Sequence, residues 1–164
     1  MNPDGFLRDI LVAPERLAAL LDAFDESGSP LAALDDPAAF RRVVFIGMGS
    51  SRFAAVSSAA LLRSAGVDAV AELASTGCPT RPSADTLAVG ISASGTTPET
   101  VEALAAHRGT SRCVAITNDV ESDIAGVADV VLPLLAGLEE GGVACLTYQA
   151  TMAVLLLLAG RIGD

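Results

Sequence analysis

Apolar and polar residues alternate along this chain in blocks of two kinds. Short apolar runs have the length and β-branched content of buried strands, and alanine- and leucine-rich segments with helical spacing lie between them. The predicted strands cover residues 42–46, 67–73, 86–91, 112–117 and 129–132, and the predicted helices cover residues 51–65, 98–107, 122–126 and 143–159. Strands that alternate with helices indicate parallel pairing through right-handed crossovers. We therefore expect an α/β protein, a three-layer α/β/α sandwich with a flavodoxin-like, five-stranded parallel sheet.

A separate helical pattern precedes this alternation. Apolar residues recur at helical spacing between residues 6 and 24, and Pro14 interrupts them. A proline inside a helix removes a hydrogen bond and clashes with the preceding turn, so we expect two short helices or one kinked helix. Residues 1–35 are predicted to form this N-terminal helical segment, and residues 36–164 one α/β domain, as a chain of 164 residues suggests.

The turn after the third predicted strand is rich in hydroxyl groups. Residues 92–97 read Ser-Ala-Ser-Gly-Thr-Thr, and Pro98 follows them at a suitable first helical position. Thr97 is then the natural N-cap. Free N–H groups and the positive end of the helix dipole make such a turn a ready anion site. An ordinary capped turn is the alternative, although capping needs fewer hydroxyls than the four present.

A second polar turn follows the first predicted strand. It reads Gly-Met-Gly-Ser-Ser over residues 47–51, and Ser50 or Ser51 is predicted to cap the next helix. In a doubly wound sheet, ligands bind beyond the carboxyl ends of the strands. Both turns are expected at that edge, where they would form one polar pocket.

A dinucleotide site is the alternative for the first of these turns. Its glycines and Glu72, about twenty residues on, match part of the dinucleotide-binding pattern. The third glycine position holds Arg52, however, and a dinucleotide site leaves residues 92–97 without a role.

These motifs resemble those of the SIS (sugar isomerase) domain family. Residues 92–97 look like the family's phosphate loop, and residues 47–51 are similar to its first sugar-binding loop. Residues 6–15 resemble the segment that opens the isomerase half of glucosamine-6-phosphate synthases, so the chain resembles the first of two SIS lobes. The resemblance implies a sugar phosphate as the ligand and the following binding residues: Gly49, Ser50, Ser51, Ser92, Ala93, Ser94, Gly95, Thr97 and Ser122. For Ser122, a capping role in the short helix is the alternative.

Two glutamates precede the last predicted helix, in a stretch similar to the family's E-x-x-VAST-K segment. The resemblance implies that one of them moves a proton between C1 and C2 of the sugar. Aligning on Tyr148 selects Glu139, and aligning on residues 142–144 selects Glu140. A carboxylate suits proton abstraction next to a carbonyl. The alternative is a pairing of these acids with the helix dipole.

The chain also departs from the family pattern. Leu146 or Thr147 stands where the family has a lysine, and the family's ring-opening histidine and C-terminal lysine belong to regions after the first lobe. The single histidine, His107, lies at a predicted helix end, where a partner for the dipole is expected.

The charge and the cysteine content of the chain limit which ligands and partners are expected. The formal net charge of −10 disfavours nucleic acid, whose phosphates would be repelled. Cys78, Cys113 and Cys145 have no metal-binding spacing and are expected as reduced thiols of a cytoplasmic protein. We expect no metal or other cofactor, no signal peptide and no membrane span, since the apolar run over residues 152–159 is too short. That run is expected to be a buried helix end or an oligomer contact.

Three functional hypotheses follow. The first is one lobe of an isomerase for a ketose or amino-sugar 6-phosphate, completed by a second SIS lobe or by a homodimer partner. The second is a non-catalytic phosphosugar sensor, which the missing lysine and histidine favour. The third is a nucleotide-binding protein of the flavodoxin type.

Overall fold

The computed structural model describes residues 1–25, 28–34, 36 and 39–163 of the chain. Its five strands form one parallel sheet in the order β2-β1-β3-β4-β5. The strands are β1 (Arg42–Gly47), β2 (Asp68–Leu73), β3 (Thr86–Ile91), β4 (Arg112–Thr117) and β5 (Val130–Pro133). This is the flavodoxin-like strand order, so the predicted fold class is confirmed.

Helices cover both faces of the sheet and form two cores of unequal size. The helices are α1 (Pro3–Asp25), α2 (Gly49–Ser64), α3 (Pro98–Ala105), α4 (Asp123–Val127) and α5 (Leu146–Gly163), with a short 3-10 helix at Pro30–Ala33. Helices α1, α2 and α5 pack with one sheet face in the larger core. Helices α3 and α4 cover the other face above β3 and β4. The result is the expected three-layer sandwich.

The N-terminal segment is one helix rather than two. Pro14 lies inside α1 on its exposed side. Ala13, Leu20 and Phe24 are buried in the larger core. Burying a large apolar side chain contributes about 1.5–3 kcal/mol of stability. This gain offsets the cost of the hydrogen bond that the proline removes from the helix. The predicted domain boundary falls at residue 35, which lies outside the described residues, so the division into 1–35 and 36–164 stays a prediction.

Helix α5 begins and ends later than the sequence pattern predicts. Gly142 has a φ of +72°, which a helix excludes, and the first helical residue is Leu146. The helix then continues to Gly163, giving 18 mostly apolar residues of which half are buried within the fold. Its length and composition would allow it to cross a membrane, but it packs against α1 and α2 as a core helix.

Strand order places the two polar turns side by side. Strand β2 lies on one side of β1, and strands β3, β4 and β5 follow on its other side. The connections after β1 and after β3 therefore run in opposite directions, and they diverge between these two strands. Gly47 at the end of β1 is in register with Ile91 at the end of β3. The turns therefore leave the sheet from neighbouring positions, and the crevice between them is the place where this fold binds ligands.

Candidate functional site

The turn after β3 is organised by a buried serine. Ser92 is 3% exposed, and its Oγ accepts a hydrogen bond from the N–H of Gly95 at 3.1 Å. The same Oγ lies 3.0 Å from Thr97 Oγ1. Thr97 occupies the N-cap position of α3 as predicted, yet its side chain makes no capping hydrogen bond. Ser92 and Thr97 therefore shape the turn, and the start of α3 is left without a side-chain cap.

Ser94 and Thr96 present hydroxyl groups to solvent at the same turn. Ser94 Oγ accepts hydrogen bonds from Thr96 N at 3.4 Å and from Thr96 Oγ1 at 3.2 Å. Both side chains are exposed. The Ser94 hydroxyl hydrogen has no acceptor among the described residues, so it can be donated to a ligand oxygen.

Gly95 lies directly against the turn that follows β4. Its φ is +70°, and a Cβ placed on it would lie 1.9 Å from Ser122 Oγ and 2.9 Å from Thr117 Oγ1. The carbonyl of Gly95 accepts from Ile124 N at 3.0 Å, and the carbonyl of half-buried Ala93 accepts from Asn118 N at 3.0 Å. Only glycine fits here, and its contacts fix the position of the whole turn.

Ser122 packs against Gly95. It is 8% exposed, and its Oγ donates to the carbonyl of Asp119 at 2.5 Å. It stands at the N-cap position of α4 but makes no side-chain capping bond. Contact between Ser122 and a sugar stays a prediction.

The turn after β1 differs from the predicted capping pattern. Met48 is the N-cap of α2 and provides no side-chain cap. Gly49 has a φ of +50°, and Ser50 and Ser51 lie inside the first helical turn. The expectation that one of these serines caps α2 is therefore wrong, because the helix begins before them. Ser50 is exposed and Ser51 half-buried, and the start of α2 has no side-chain cap hydrogen bond.

Arg52 is a basic residue at the start of α2. From the sequence it served only as an argument against a dinucleotide site. It follows Ser51 in the first turn of α2, and its Nε is buried without a hydrogen-bond partner among the described residues. A buried donor without a partner is costly.

Glu139 caps the last helix. Its Oε1 accepts from Leu146 N at 2.7 Å and from Thr147 N at 3.3 Å, and its Oε2 accepts from Thr147 Oγ1 at 2.7 Å. These bonds satisfy helix-start donors and place a negative charge at the positive end of α5. The contacts of Glu139 are therefore those of a helix cap that pairs with the helix dipole. Its role as the base that moves the sugar proton stays a prediction.

Glu140 points in a different direction. Its Oε2 lies 2.7 Å from Arg8 Nη2, in an ion pair whose two side chains are more than half exposed. An exposed pair of this kind contributes at most about 1 kcal/mol. The structure therefore separates the two predicted bases: Glu139 lies at the start of α5, and Glu140 faces the N-terminal helix.

Asp9 holds the segment that carries both glutamates. It is 2% exposed, and its carboxylate accepts from Glu140 N at 3.1 Å and from Gly141 N at 2.7 Å. A Cβ on Gly141 would lie 2.6 Å from Phe6 Cα, so α1 and this segment are in close contact. The sequence interpretation missed Asp9, although it lies in the 6–15 segment that carries the family resemblance.

The polar groups that a dinucleotide site would use are occupied. Both carboxylate oxygens of Glu72 accept from Thr80 N, at 3.0 and 3.2 Å, and Oε1 also accepts from Thr80 Oγ1. Over the described ranges, no group of three or more His, Cys, Asp or Glu side chains is placed to hold a metal ion. The three cysteines are free thiols, and Cys113 is fully buried.

These features define a doubly wound α/β protein with two hydroxyl-rich turns side by side after β1 and β3. The family model of the SIS domain matches residues 39–161, and the chain belongs to that family. The isomerizing glutamine–fructose-6-phosphate aminotransferase of Aeropyrum pernix is 34% identical over 161 residues, which are 96% of this chain and 26% of that protein. The chain thus spans about a quarter of that relative's length.

Solved structures share the fold. The C-terminal domain of glucosamine-fructose-6-phosphate aminotransferase from Francisella tularensis has a TM-score of 0.84 at 19% identity, with 97% of this chain and 48% of that one covered. The sugar isomerase domain of an RpiR transcription factor from Sphaerobacter thermophilus gives 0.74 at 26% identity, covering 95% and 88%. The Vibrio vulnificus NanR protein complexed with ManNAc-6P gives 0.73 at 20% identity, covering 94% and 60%.

Proposed function

We propose that this chain is a phosphosugar-binding SIS lobe whose ligand is a hexose or hexosamine 6-phosphate. The phosphate is held at residues 92–97, where exposed hydroxyls meet the uncapped start of α3. The sugar lies toward Gly49, Ser50 and Ser51. A net charge of −10 does not oppose this ligand, because helix starts and hydroxyls act over short distances.

The observation that supports this proposal most is the convergence of the two turns. Either turn alone is a common feature of α/β proteins. Here the register between Gly47 and Ile91 brings two hydroxyl-rich turns to one edge, and neither helix start uses its hydroxyls as caps. A protein of the same fold, NanR, is complexed with ManNAc-6P.

Isomerisation within this proposal requires a second lobe or a second copy. Glu139 is the better-placed base, because it is half-buried at the start of α5, whereas Glu140 is exposed and paired with Arg8. A second acid–base group for ring opening is missing, since the chain contains no lysine and its single histidine is elsewhere in the fold. We propose that a second SIS lobe or a homodimer partner supplies it, in the cytoplasm.

A non-catalytic phosphosugar sensor is the second candidate. The same missing groups favour it, and so does the likeness to the sugar isomerase domain of an RpiR transcription factor. Turnover by the full-length protein separates the two candidates, because a sensor binds the sugar phosphate without converting it.

Calorimetry tests the proposed ligand class. Fructose 6-phosphate and free fructose are titrated into the parent chain and into Ser94→Ala, with Thr110→Ala as a control for loss of an exposed hydroxyl. Removing one hydrogen bond to a charged group costs about 1.5–3 kcal/mol, or about ten- to a hundredfold in affinity. Binding of fructose 6-phosphate but not fructose, weakened by Ser94→Ala alone, is expected. Absence of binding by the parent, or equal affinities of the parent and Ser94→Ala, contradicts the proposal.

A further inference from the structure

A cavity of about 440 Å³ lies between α3 and residues 74–82, next to the turn after β1, since Ala74 N donates to the carbonyl of Gly47 at 3.1 Å. Its volume falls in the range of about 300–1,000 Å³ found for small-molecule sites. None of the residues 47–51 or 92–97 lines it. Its apolar wall consists of Ala74, Pro79, Pro82, Ala103 and Ala106.

A buried histidine lines this cavity. His107 is 2% exposed, and its Nδ1 lies 3.0 Å from Ser111 Oγ. Ser111 Oγ in turn accepts from Ser83 N at 3.2 Å. We assign the serine hydroxyl as the donor to His107 Nδ1, because this hydroxyl hydrogen has no other acceptor among the described residues.

That hydrogen bond fixes the chemistry of the other ring nitrogen. With Nδ1 as the acceptor, the neutral ring carries its hydrogen on Nε2. Burial lowers the pKa of His107, and the charge of Glu72 raises it to a smaller extent, so the ring is neutral at pH 7. Nε2–H has no protein acceptor among the described residues and is therefore a donor available to a ligand.

The charged groups around the cavity favour a cationic ligand. Glu99 and Glu102 stand one turn apart on α3 and line the opening, and Arg81 lines it from the opposing segment. Glu72 is near enough for its charge to act on His107. Three carboxylates and one guanidinium give this region a negative balance, the opposite of what a sugar phosphate requires.

We propose that this cavity is a second small-molecule site, for a compound with an apolar body, a primary ammonium group and an oxygen acceptor. The ammonium pairs with Glu99 and Glu102 at the opening. The apolar body contacts the alanine and proline wall, and the oxygen accepts a hydrogen bond from His107 Nε2–H. The proposal does not rest on phosphosugar binding at the other site.

His107 provides its own reporter, because it is the only histidine in the chain. The chain is labelled at its histidine ring and titrated with 4-(aminomethyl)benzamide, which carries an ammonium group, a ring and a carbonyl. The matched anion is 4-carbamoylbenzoate. The ring signals are expected to shift with a saturable dependence on the amine, at an affinity at least about fivefold higher than for the benzoate.

Two substitutions in the cavity and one control substitution elsewhere locate the binding. Glu102→Gln removes an exposed carboxylate at the opening and is expected to weaken the amine about two- to fivefold, as an exposed ion pair implies. Glu121→Gln removes an exposed carboxylate elsewhere and is expected to change nothing. Ala103→Leu, which fills the cavity, is expected to abolish the shift, and circular dichroism confirms that each variant is folded.

Four outcomes overturn the proposal. They are the absence of a saturable shift at millimolar amine, equal affinities for the amine and the benzoate, and equal effects of Glu102→Gln and Glu121→Gln. The fourth is a shift of the ring signals with protein concentration that accompanies dimer formation in sedimentation, which would assign the cavity to a second copy of the chain.

Discussion

Gly95→Ala is expected to destabilise the protein and to distort the turn after β3. The left-handed φ of +70° alone costs an alanine roughly 1–2 kcal/mol. The added Cβ would also lie 1.9 Å from Ser122 Oγ, far inside the contact distance of about 3.5–4.0 Å. Forced overpacking of this kind typically costs about 1–3 kcal/mol more. The expected total loss in the free energy of unfolding is therefore about 2–5 kcal/mol.

Gly109→Ala is the matched control. Gly109 has a φ of +76°, but nothing lies within 4 Å of the position its Cβ would take. It should lose only the backbone part, roughly 1–2 kcal/mol. Urea unfolding of both variants therefore isolates the contact with Ser122 as a difference of about 1–3 kcal/mol.

A second substitution tests whether contact with Ser122 causes the extra loss of stability in Gly95→Ala. Ser122→Gly removes both the Oγ and the Cβ that crowd the new methyl group. Combined with Gly95→Ala, it should restore part of the lost stability, as coupling between residues in contact requires. Equal losses in Gly95→Ala and Gly109→Ala, or no coupling in the double variant, would refute the reasoning about this turn.

Three further predictions follow from the site. Glu139→Ala should reduce the free energy of unfolding in urea by about 0.5–2 kcal/mol, because it removes the cap of α5. Glu140→Ala, which loses only an exposed ion pair, should stay within about 1 kcal/mol of the parent. A larger loss in Glu140→Ala than in Glu139→Ala would contradict the capping role. Burial raises the pKa of the Cys113 thiol to about 11, so at pH 8 a maleimide should modify exposed Cys78 in the folded protein and Cys113 only after unfolding, as mass spectrometry of peptides would reveal. The chain alone should show no conversion of fructose 6-phosphate to glucose 6-phosphate above background, because losing a general acid–base group costs about 10²–10⁴-fold in rate; robust turnover that disappears in the Glu139→Gln, Glu140→Gln double variant would contradict this expectation.

Local sequence patterns predicted the sheet well. Strands β3 and β4 have the bounds that the apolar runs indicate, residues 86–91 and 112–117. Strands buried on both faces must be continuously apolar, so a single short window contains their whole signal. The position of the two turns followed from strand order, which the alternation of strands and helices also implies.

Contacts between distant parts of the chain were not predictable in this way. Asp9 bonds to Glu140 and Gly141 across more than 130 residues, and no local pattern indicates that contact. The start of α5 was misplaced for a related reason, since the helix begins at Leu146, where Glu139 accepts from Leu146 N across a glycine-rich segment. Ser50 and Ser51 were assigned as caps by residue type, but the helix begins one or two residues earlier.

Amide chemical-shift mapping tests the central claim most directly. Fructose 6-phosphate is titrated into the uniformly ¹⁵N-labelled chain, and the shifts are assigned residue by residue. If the turns after β1 and β3 form the phosphosugar site, the largest saturable shifts fall on residues 49–51 and 94–97. Shifts that are largest around residues 74–82 and His107, or no saturable shift at all, would contradict it.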